Sequence, residues 1–368
     1  MNGFDTSPTT RVIFGANCLD QVGQLTKELG AVRVLIVTDR GIQKAGYAER
    51  VRKSLQQQSI ETFEYADVEE NPTDLNVQKG ADFARGNSPI DLIIGLGGGS
   101  SMDVAKGINF ILTNGGIMEN YWGFNKAVKP MLPSIGIPTT AGTGSEAQSY
   151  ALISQDDTHI KMACGDIQAR FRVVILDPVL TLTTPKSVTA ISGIDAITHA
   201  VETFVTKNRN PFSQMHSREA WRLLNRSFET VLNDPSNLSA RSDMLLGSYF
   251  AGVAIENSML GAAHACANPL TAKFGIAHGI AVSIMLPSVI RFNSVEVSES
   301  YSQLADPLLE RIRQFQQAAS LPQRLRDCSV DKTALPDLAK DAAVQWTGNH
   351  NPRPLTRNDF LSFYEETF

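Results

Sequence analysis

The periodicity of the apolar residues changes near residue 184, and this change constrains the fold more than any other feature of the sequence. Before it, short apolar runs alternate with amphipathic stretches. The runs predict strands at 32–39, 61–68, 91–97, 132–140 and 172–178, and the stretches predict helices at 47–58, 77–87 and 100–114. Apolar strands separated by helices indicate a parallel sheet that is covered on both faces.

After residue 184 the strand signals largely stop. Long stretches with helical periodicity follow, among them 187–206 and 213–232. A single hydrophobic core rarely grows past about 250–300 residues, so a chain of 368 residues is expected to form two domains. The sequence therefore predicts an α/β domain over 1–183 and an all-helical domain over 184–368.

Charge and cysteine usage exclude several classes of protein. The net charge is −5 and no basic run occurs, so nucleic acid is not an expected partner. No run of 18 or more apolar residues predicts a membrane helix, and the first residues lack a signal-peptide pattern. The four cysteines are scattered without CxxC spacing, which is typical of free thiols in a reducing compartment. We expect a cytoplasmic protein with no membrane partner.

A glycine-rich turn follows the predicted strand 91–97. Gly97, Gly98 and Gly99 lead into a helix that Ser100 is expected to open, with Asp103 at capping-box spacing. Glycines allow the backbone to approach a ligand closely, and a helix N-terminus presents free N–H groups that suit a pyrophosphate. The alternative is a strand-to-helix turn that binds nothing, because this is not a GxGxxG motif.

Two further polar positions lie at predicted strand ends, where open α/β sheets bind their ligands. The loop 138–146 contains Thr139, Thr140 and Thr143, although it could also be an ordinary polar loop. Asp39 ends the first predicted strand. It could accept hydrogen bonds from the ribose hydroxyls of NAD and repel the 2′-phosphate of NADP, or it could simply cap the next turn.

Four residues of the second half form a candidate metal site. Asp195 and His199 are separated by four residues, which places both side chains on one helix face. An isolated pair of this kind would more often be part of a solvent-facing polar stripe with Glu202. His264 and His278, however, lie in segments of small and apolar residues and are expected to be buried. Three imidazoles and one carboxylate suit a divalent transition metal.

Several motifs together carry a family resemblance over nearly the whole chain. They are GGGSSMDVAK (97–106), PTTAGTGSE (138–146), LDPVLT (176–181), GIDAITHAVE (193–202), AAHACANPL (262–270), AHG (277–279) and NPRPLT (351–356). In this order they resemble the iron-containing alcohol dehydrogenases. The resemblance implies a Rossmann-like N-terminal domain and a helical C-terminal domain, a combination similar to the dehydroquinate synthase superfold.

The resemblance also implies the cofactors and their ligands. The metal would be Fe²⁺, with Zn²⁺ or Ni²⁺ as alternatives, and the cofactor would be NAD. The metal ligands fall on Asp195, His199, His264 and His278. The NAD contacts fall on Asp39, Asn71, Gly97, Gly98, Gly99, Ser100, Thr139, Thr140, Thr143, Lys161 and Leu180.

An enzyme of this kind would transfer a hydride between NAD(H) and an alcohol/aldehyde or alcohol/ketone pair, with the metal acting as a Lewis acid on the substrate oxygen. The family often forms dimers, so a homodimer is expected. Many members carry a histidine near the substrate where this chain has Asn268, and an amide cannot shuttle a proton at neutral pH. The alternatives are a glycerol-type polyol dehydrogenase, a dehydroquinate-synthase-like lyase and a non-catalytic nucleotide-binding protein.

Overall fold

A computed structural model describes residues 2–6 and 9–368. The chain forms two compact units. The first, which we call the sheet unit, comprises Ser7–Thr140 and Ser145–Thr184. The second, the helical unit, comprises Met1–Thr6, Ala141–Gly144 and Pro185–Phe368. The predicted domain boundary at 183/184 stays a prediction.

The sheet unit alternates strands and helices along the chain. Its elements are β1 Arg11–Phe14, α1 Val22–Glu28, β2 Arg33–Val37, α2 Arg40–Lys44, α3 Tyr47–Gln56, β3 Glu61–Tyr65, α4 Asp74–Gly86, β4 Leu92–Gly97, α5 Gly99–Asn114, β5 Gly123–Phe124, β6 Ser134–Pro138, β7 Tyr150–Ser154, β8 Lys161–Gly165 and β9 Val173–Leu176. Six strands form one parallel sheet in the order β1-β9-β6-β4-β2-β3.

The central strands of this sheet are buried on both faces. Side chains alternate across a strand, so Leu35 and Ile93 pack into one apolar cluster, while Ile36 and Ile94 pack into another on the opposite face. This explains why the strands are continuous apolar runs. The predicted parallel sheet is confirmed, and the predicted strands agree with β2, β3, β4, β6 and β9 to within a few residues.

A second, smaller sheet was not predicted. It has the order β5-β8-β7, with β8 antiparallel to β7 and parallel to β5. Its strands are at most five residues long, and the exposed loop 155–160 joins β7 to β8. β5 has only two residues, and β7 and β8 mix polar and small residues with apolar ones, so the sequence did not separate them from loops.

The helical unit contains eight α-helices and, in the part of the chain that the structure describes, no strand. They are α6 Lys186–Val205, α7 Pro211–Asn233, α8 Leu238–Ser258, α9 Ala262–Phe274, α10 His278–Ser302, α11 Leu308–Ala319, α12 Leu335–Ala342 and α13 Arg357–Thr367. The all-helical prediction for this half of the chain is confirmed.

Helix α10 is the one described helix long and apolar enough to cross a membrane. Within its most apolar window, however, 61% of the residues are buried in the protein, as in the core helix of a globular domain. It also contains Pro287, which cannot donate to the carbonyl of Ser283. Gln316 satisfies that carbonyl instead, through its Nε2 at 2.6 Å. The packing of α10 therefore accommodates its proline.

Candidate metal centre and nucleotide-binding loops

Helix α6 carries two polar residues in an otherwise apolar interior. Asp195 and His199 are only 5% and 4% exposed, and the neighbouring Ile194, Ala200 and Val201 are fully buried. Because four residues make just over one helical turn, both polar side chains lie on the same face. The alternative of a solvent-facing polar stripe is therefore wrong.

Three helices bring imidazoles to the Asp195 carboxylate. The Nε2 atoms of His199 and His264 lie 3.4 and 3.5 Å from Asp195 Oδ1, and that of His278 lies 4.0 Å away. His264 is near the start of α9 and His278 is the first residue of α10. Residues that are 83 positions apart in the sequence, from 195 to 278, thus meet at one oxygen atom.

The donor set fits a divalent cation. Tetrahedral sites with bonds of about 2.1 Å separate their ligand atoms by about 3.4 Å. The donors of Asp195, His199 and His264 lie within 4.8 Å of one another. Asp195 Oδ1 and His264 Nε2 are buried and have no hydrogen-bond partner among the described residues. Buried polar atoms rarely remain unsatisfied, and coordination of a cation would satisfy both of these atoms.

The protonation of the cluster is set by burial and by its carboxylates. Burial alone would raise the pKa of Asp195, but His199 and the other imidazoles hold it well below its usual range. Burial lowers the pKa of His199 to about 4, against the attraction of Asp195. Burial also disfavours a charged His264, yet Glu202 and Asp195 raise the pKa of His264 to about 9. A cation at Nε2 would replace the proton of His264.

Sequence reasoning missed the role of Glu202. This residue is 4% exposed, and its Oε2 accepts a hydrogen bond of 2.6 Å from His264 Nδ1. Its position seven residues after Asp195 gives it nearly the same helix face, which was the signal available in the sequence.

Asn268 lies one turn after His264 on α9. Its Nδ2 donates to Gln345 Oε1 at 3.0 Å, and the side chain is half-buried. Four residues of helix place Asn268 on the same face as the candidate ligand. This geometry fits the predicted position near the substrate, and the role of Asn268 stays a prediction.

In the sheet unit, the glycine turn forms as expected but its helix begins differently. Helix α5 begins at Gly99 with Gly98 as its N-cap, and a glycine has no side chain with which to cap the helix. The expected start at Ser100 and the Ser100–Asp103 capping box are wrong. Asp103 is buried and accepts a hydrogen bond of 2.6 Å from Ser145 Oγ. Like the start of any helix, the first turn of α5 has N–H groups without intrahelical partners, and such groups suit an anion.

The two glycine positions of this turn differ in whether the fold tolerates a side chain. Gly97 has a φ of +147°, and a Cβ there would lie 2.4 Å from Ser101 Oγ. A Cβ on Gly98 would meet only Thr140, at an ordinary 3.5 Å from Oγ1. The fold itself therefore requires glycine at 97 but not at 98.

Asp39 follows β2 and caps α2. Its Oδ1 accepts hydrogen bonds from the backbone N–H groups of Gly41 and Ile42 at 2.8 and 3.0 Å. Asp39 therefore caps the next helix, which was the alternative to a contact with the NAD ribose. Its Oδ2 would lie only 3.2 Å from a Cβ on Gly97, so the carboxylate is close to the glycine turn.

The remaining predicted cofactor residues lie in several different parts of the structure. Thr139 and Thr140 follow β6, which neighbours β4 in the sheet. Thr143 belongs to the segment Ala141–Gly144, which is part of the helical unit. Asn71 is exposed with a φ of +51°, and Lys161 begins β8. Leu180 is fully buried in the core, so only its backbone could meet a ligand.

A buried ionic cluster joins helix α5 to residues 145–150 of the sheet unit, and sequence reasoning did not identify it. Lys106 is 2% exposed and its Nζ donates to the backbone carbonyls of Ser145 and Tyr150 at 2.7 and 2.8 Å. Helix α5 is thereby fixed to the residues that lead into β7.

Glu146 is a buried member of the same cluster, and we expect it to make stability depend on pH. Burial raises the pKa of Glu146 from 4.5 to about 7. Between these values the folded protein holds a proton that the unfolded chain releases, so stability falls as pH rises through this window. The melting temperature of Glu146→Gln relative to wild type should therefore be higher at pH 8 than at pH 5, by a few degrees. An equal difference at both pH values would contradict this prediction.

Comparison with known proteins decides the family. Residues 8–178 match the family "Iron-containing alcohol dehydrogenase", and residues 189–368 match "Fe-containing alcohol dehydrogenase family, C-terminal". The chain belongs to the iron-containing alcohol dehydrogenases. The family resemblance drawn from the sequence motifs is confirmed.

The similarity to known proteins covers nearly the whole of this alcohol dehydrogenase. It is 31% identical to the 1,3-propanediol dehydrogenase of Citrobacter freundii, over 96% of each chain. It is 30% identical to the NAD-dependent methanol dehydrogenase of Bacillus methanolicus, over 98% of each chain. A crystal structure of a 1,3-propanediol oxidoreductase has a TM-score of 0.96 at 31% identity and covers 100% of both chains.

Membership of this family confirms several predictions at the family level. The chain is an enzyme that carries out oxidoreduction of alcohols and their carbonyl products, with NAD(H) and a divalent iron as the cofactors of the family. Its substrates are small molecules. The individual ligands and contacts remain predictions.

Proposed function

We propose that this alcohol dehydrogenase binds a divalent metal through Asp195, His199, His264 and His278. The convergence of three imidazole Nε2 atoms on Asp195 Oδ1, within 4.0 Å, carries the proposal. Fe²⁺ is the first choice, and Zn²⁺ or Ni²⁺ would suit the same ligands. When bound, the metal supplies Lewis-acid chemistry at the substrate oxygen.

The residues of this chain would orient the substrate, contribute charge to the metal site and exclude water from it. Asp195 contributes one negative charge to the site, so three neutral imidazoles would leave part of the charge of a divalent ion uncompensated. Ile194 and Val201 exclude water from the side of α6. Asn268 has no titratable proton, so it can orient a substrate hydroxyl but cannot accept its proton. That proton must leave by another group or through water.

For the cofactor, we assign NAD(H) to the carboxyl edge of the parallel sheet. The uncapped N-terminus of α5 and Gly98 would receive the pyrophosphate. Thr140 lies next to Gly98, and Asp39 lies next to Gly97 at the end of the adjacent strand. Asn71, Gly99, Ser100, Thr139, Thr143, Lys161 and Leu180 complete the proposed set.

Asp39 should make the enzyme prefer NAD(H) to NADP(H), because its carboxylate would repel a 2′-phosphate. Asp39→Asn is the informative change, since asparagine caps a helix as well as aspartate does but is uncharged. We expect the ratio of kcat/KM for NAD(H) over NADP(H) to fall by about tenfold, which corresponds to about 1.4 kcal/mol. Steady-state kinetics in which wild type prefers NADP(H), or in which the variant keeps the wild-type ratio, would contradict the assignment.

The experiment that tests the proposed function begins with elemental analysis of the protein as expressed. The metal-loaded enzyme is then assayed with NAD(H) against primary alcohols, diols and the corresponding aldehydes. The relatives named for propanediol and methanol define the first substrates to try. Absence of a stoichiometric metal after loading, together with no turnover of any of these pairs, would refute the proposal.

We also propose a homodimer that resides in the cytoplasm. Strand β1 is at one edge of the six-stranded sheet, and its Val12 and Phe14 are exposed by 37% and 45%. Exposed apolar edge strands favour pairing with another chain. The four cysteines are free thiols, which fits a reducing compartment. Sedimentation of the purified protein at micromolar concentration would test the dimer.

A further inference from the structure

The carboxylate of Glu202 accepts three hydrogen bonds, all from N–H donors. Its Oε2 accepts from His264 Nδ1 at 2.6 Å and from the backbone of Gly261 at 3.0 Å. Its Oε1 accepts from the backbone of Ala263 at 2.7 Å. Both oxygens are therefore occupied within the protein, and Glu202 is unsuited to be a metal ligand itself.

The contact with His264 determines which ring nitrogen is free. An imidazole that donates from Nδ1 must offer its lone pair at Nε2 when neutral. Nε2 is the atom that lies 3.5 Å from Asp195 Oδ1 within the candidate metal site. Hydrogen bonds from a carboxylate to the outer nitrogen of a ligating histidine fix its tautomer and raise its basicity.

The same carboxylate fixes the start of the helix that carries this ring. Gly261 is the N-cap of α9 and, being a glycine, has no side chain with which to cap the helix. Glu202 binds the N–H groups of residues 261 and 263, and Asn351 Oδ1 accepts that of Ala262 at 3.3 Å. A Cβ on Gly261 would lie 2.9 Å from Glu202 Oε1, so the glycine leaves room for the carboxylate.

We infer that Glu202 is a positioning residue that holds His264 in the tautomer and orientation required for metal binding. The inference rests on the proposed function, because it assumes that His264 is a ligand. It goes further in assigning to Glu202 a share of the metal affinity. Its charge matters as well as its shape, since all three of its partners are donors and an amide would place an N–H group against at least one of them.

Titration of the metal-free protein with Co²⁺, followed by visible absorption, tests this role without relying on turnover. Glu202→Gln should weaken Co²⁺ binding by about 10- to 100-fold, the range found when such outer partners of metal ligands are removed. Glu202→Asp keeps the carboxylate on a shorter side chain and should recover part of the loss. Thermal unfolding of each metal-free variant measures damage to the fold separately.

Asn351→Ala is the matched control, because it removes a hydrogen bond to the same first turn of α9 without touching His264. It should lower the melting temperature but leave Co²⁺ affinity within about threefold of wild type, as expected for a bond that does not reach the ligands. Wild-type affinity in Glu202→Gln, or an equal loss of affinity in Asn351→Ala, would overturn the inference. If wild type itself binds no Co²⁺, the proposed metal site fails and the inference fails with it.

Discussion

His199→Ala and His264→Ala should each lose bound metal and turnover while retaining affinity for NAD. Each substitution removes one of the four proposed donors. Removal of outer partners alone weakens metal binding by about 10- to 100-fold, so loss of a ligand should exceed this range. Lewis-acid activation contributes several kcal/mol to the barrier, so kcat should fall by at least about a thousandfold. Metal content per chain, NAD calorimetry and kcat give the three readings.

Two variants serve as controls for these ligand changes. His216→Ala removes an imidazole from α7, where Nδ1 contacts the backbone carbonyl of Phe212 and the ring contacts Phe250. It should leave metal content and kcat unchanged. Asn268→Ala should keep the metal but change turnover. If His199→Ala or His264→Ala retains full metal and full activity, the four-ligand site is wrong.

Gly98→Ala should weaken NAD binding by about 10- to 100-fold with little change in melting temperature. The added methyl group would meet only Thr140 within the protein, at 3.5 Å, and the φ of Gly98 is an ordinary −78°. In the complex it would stand where the backbone must approach the pyrophosphate. Loss of one charge-assisted hydrogen bond, worth about 1.5–3 kcal/mol, accounts for a weakening of this order.

Gly97→Ala provides the contrast, since it should mainly destabilise the fold. At a φ of +147° an alanine is strained, and its Cβ would overlap Ser101 Oγ. The melting temperature should therefore fall in this variant and not in Gly98→Ala. Calorimetry showing wild-type NAD affinity in Gly98→Ala would remove the glycine turn from the proposed cofactor site.

The sequence predicted the parts of this fold that depend on periodicity. The apolar runs of β2 and β4 are buried on both faces, and a 20-residue helix was recognised at α6 because its apolar positions repeat at helical spacing. The small sheet of β5, β7 and β8 was missed, since β5 has two residues and since β7 and β8 mix polar and small residues with apolar ones.

The candidate site was predicted only where residue type signals chemistry. Histidines are few, so His264 and His278 were noticeable in segments of small residues. Lys106 was not, because lysine is normally on the surface and nothing local indicates that it is buried. Glu202 was interpreted only as part of a possible polar stripe, although its spacing from Asp195 places it on nearly the same helix face. Their roles arise from contacts with residues 39 to 62 positions away in the chain, which the sequence pattern does not contain.

The hydrogen bond from Ala262 to Asn351 joins two residues that the ribosome adds far apart in time. The sheet unit ends at Thr184, whereas the start of α9 is fully bonded only when residue 351 has been made, which is 351 − 184 = 167 residues later. At about 5–20 residues per second, translation needs about 8–33 s for that stretch. The first turn of α9 is therefore completed long after the whole sheet unit has been synthesised.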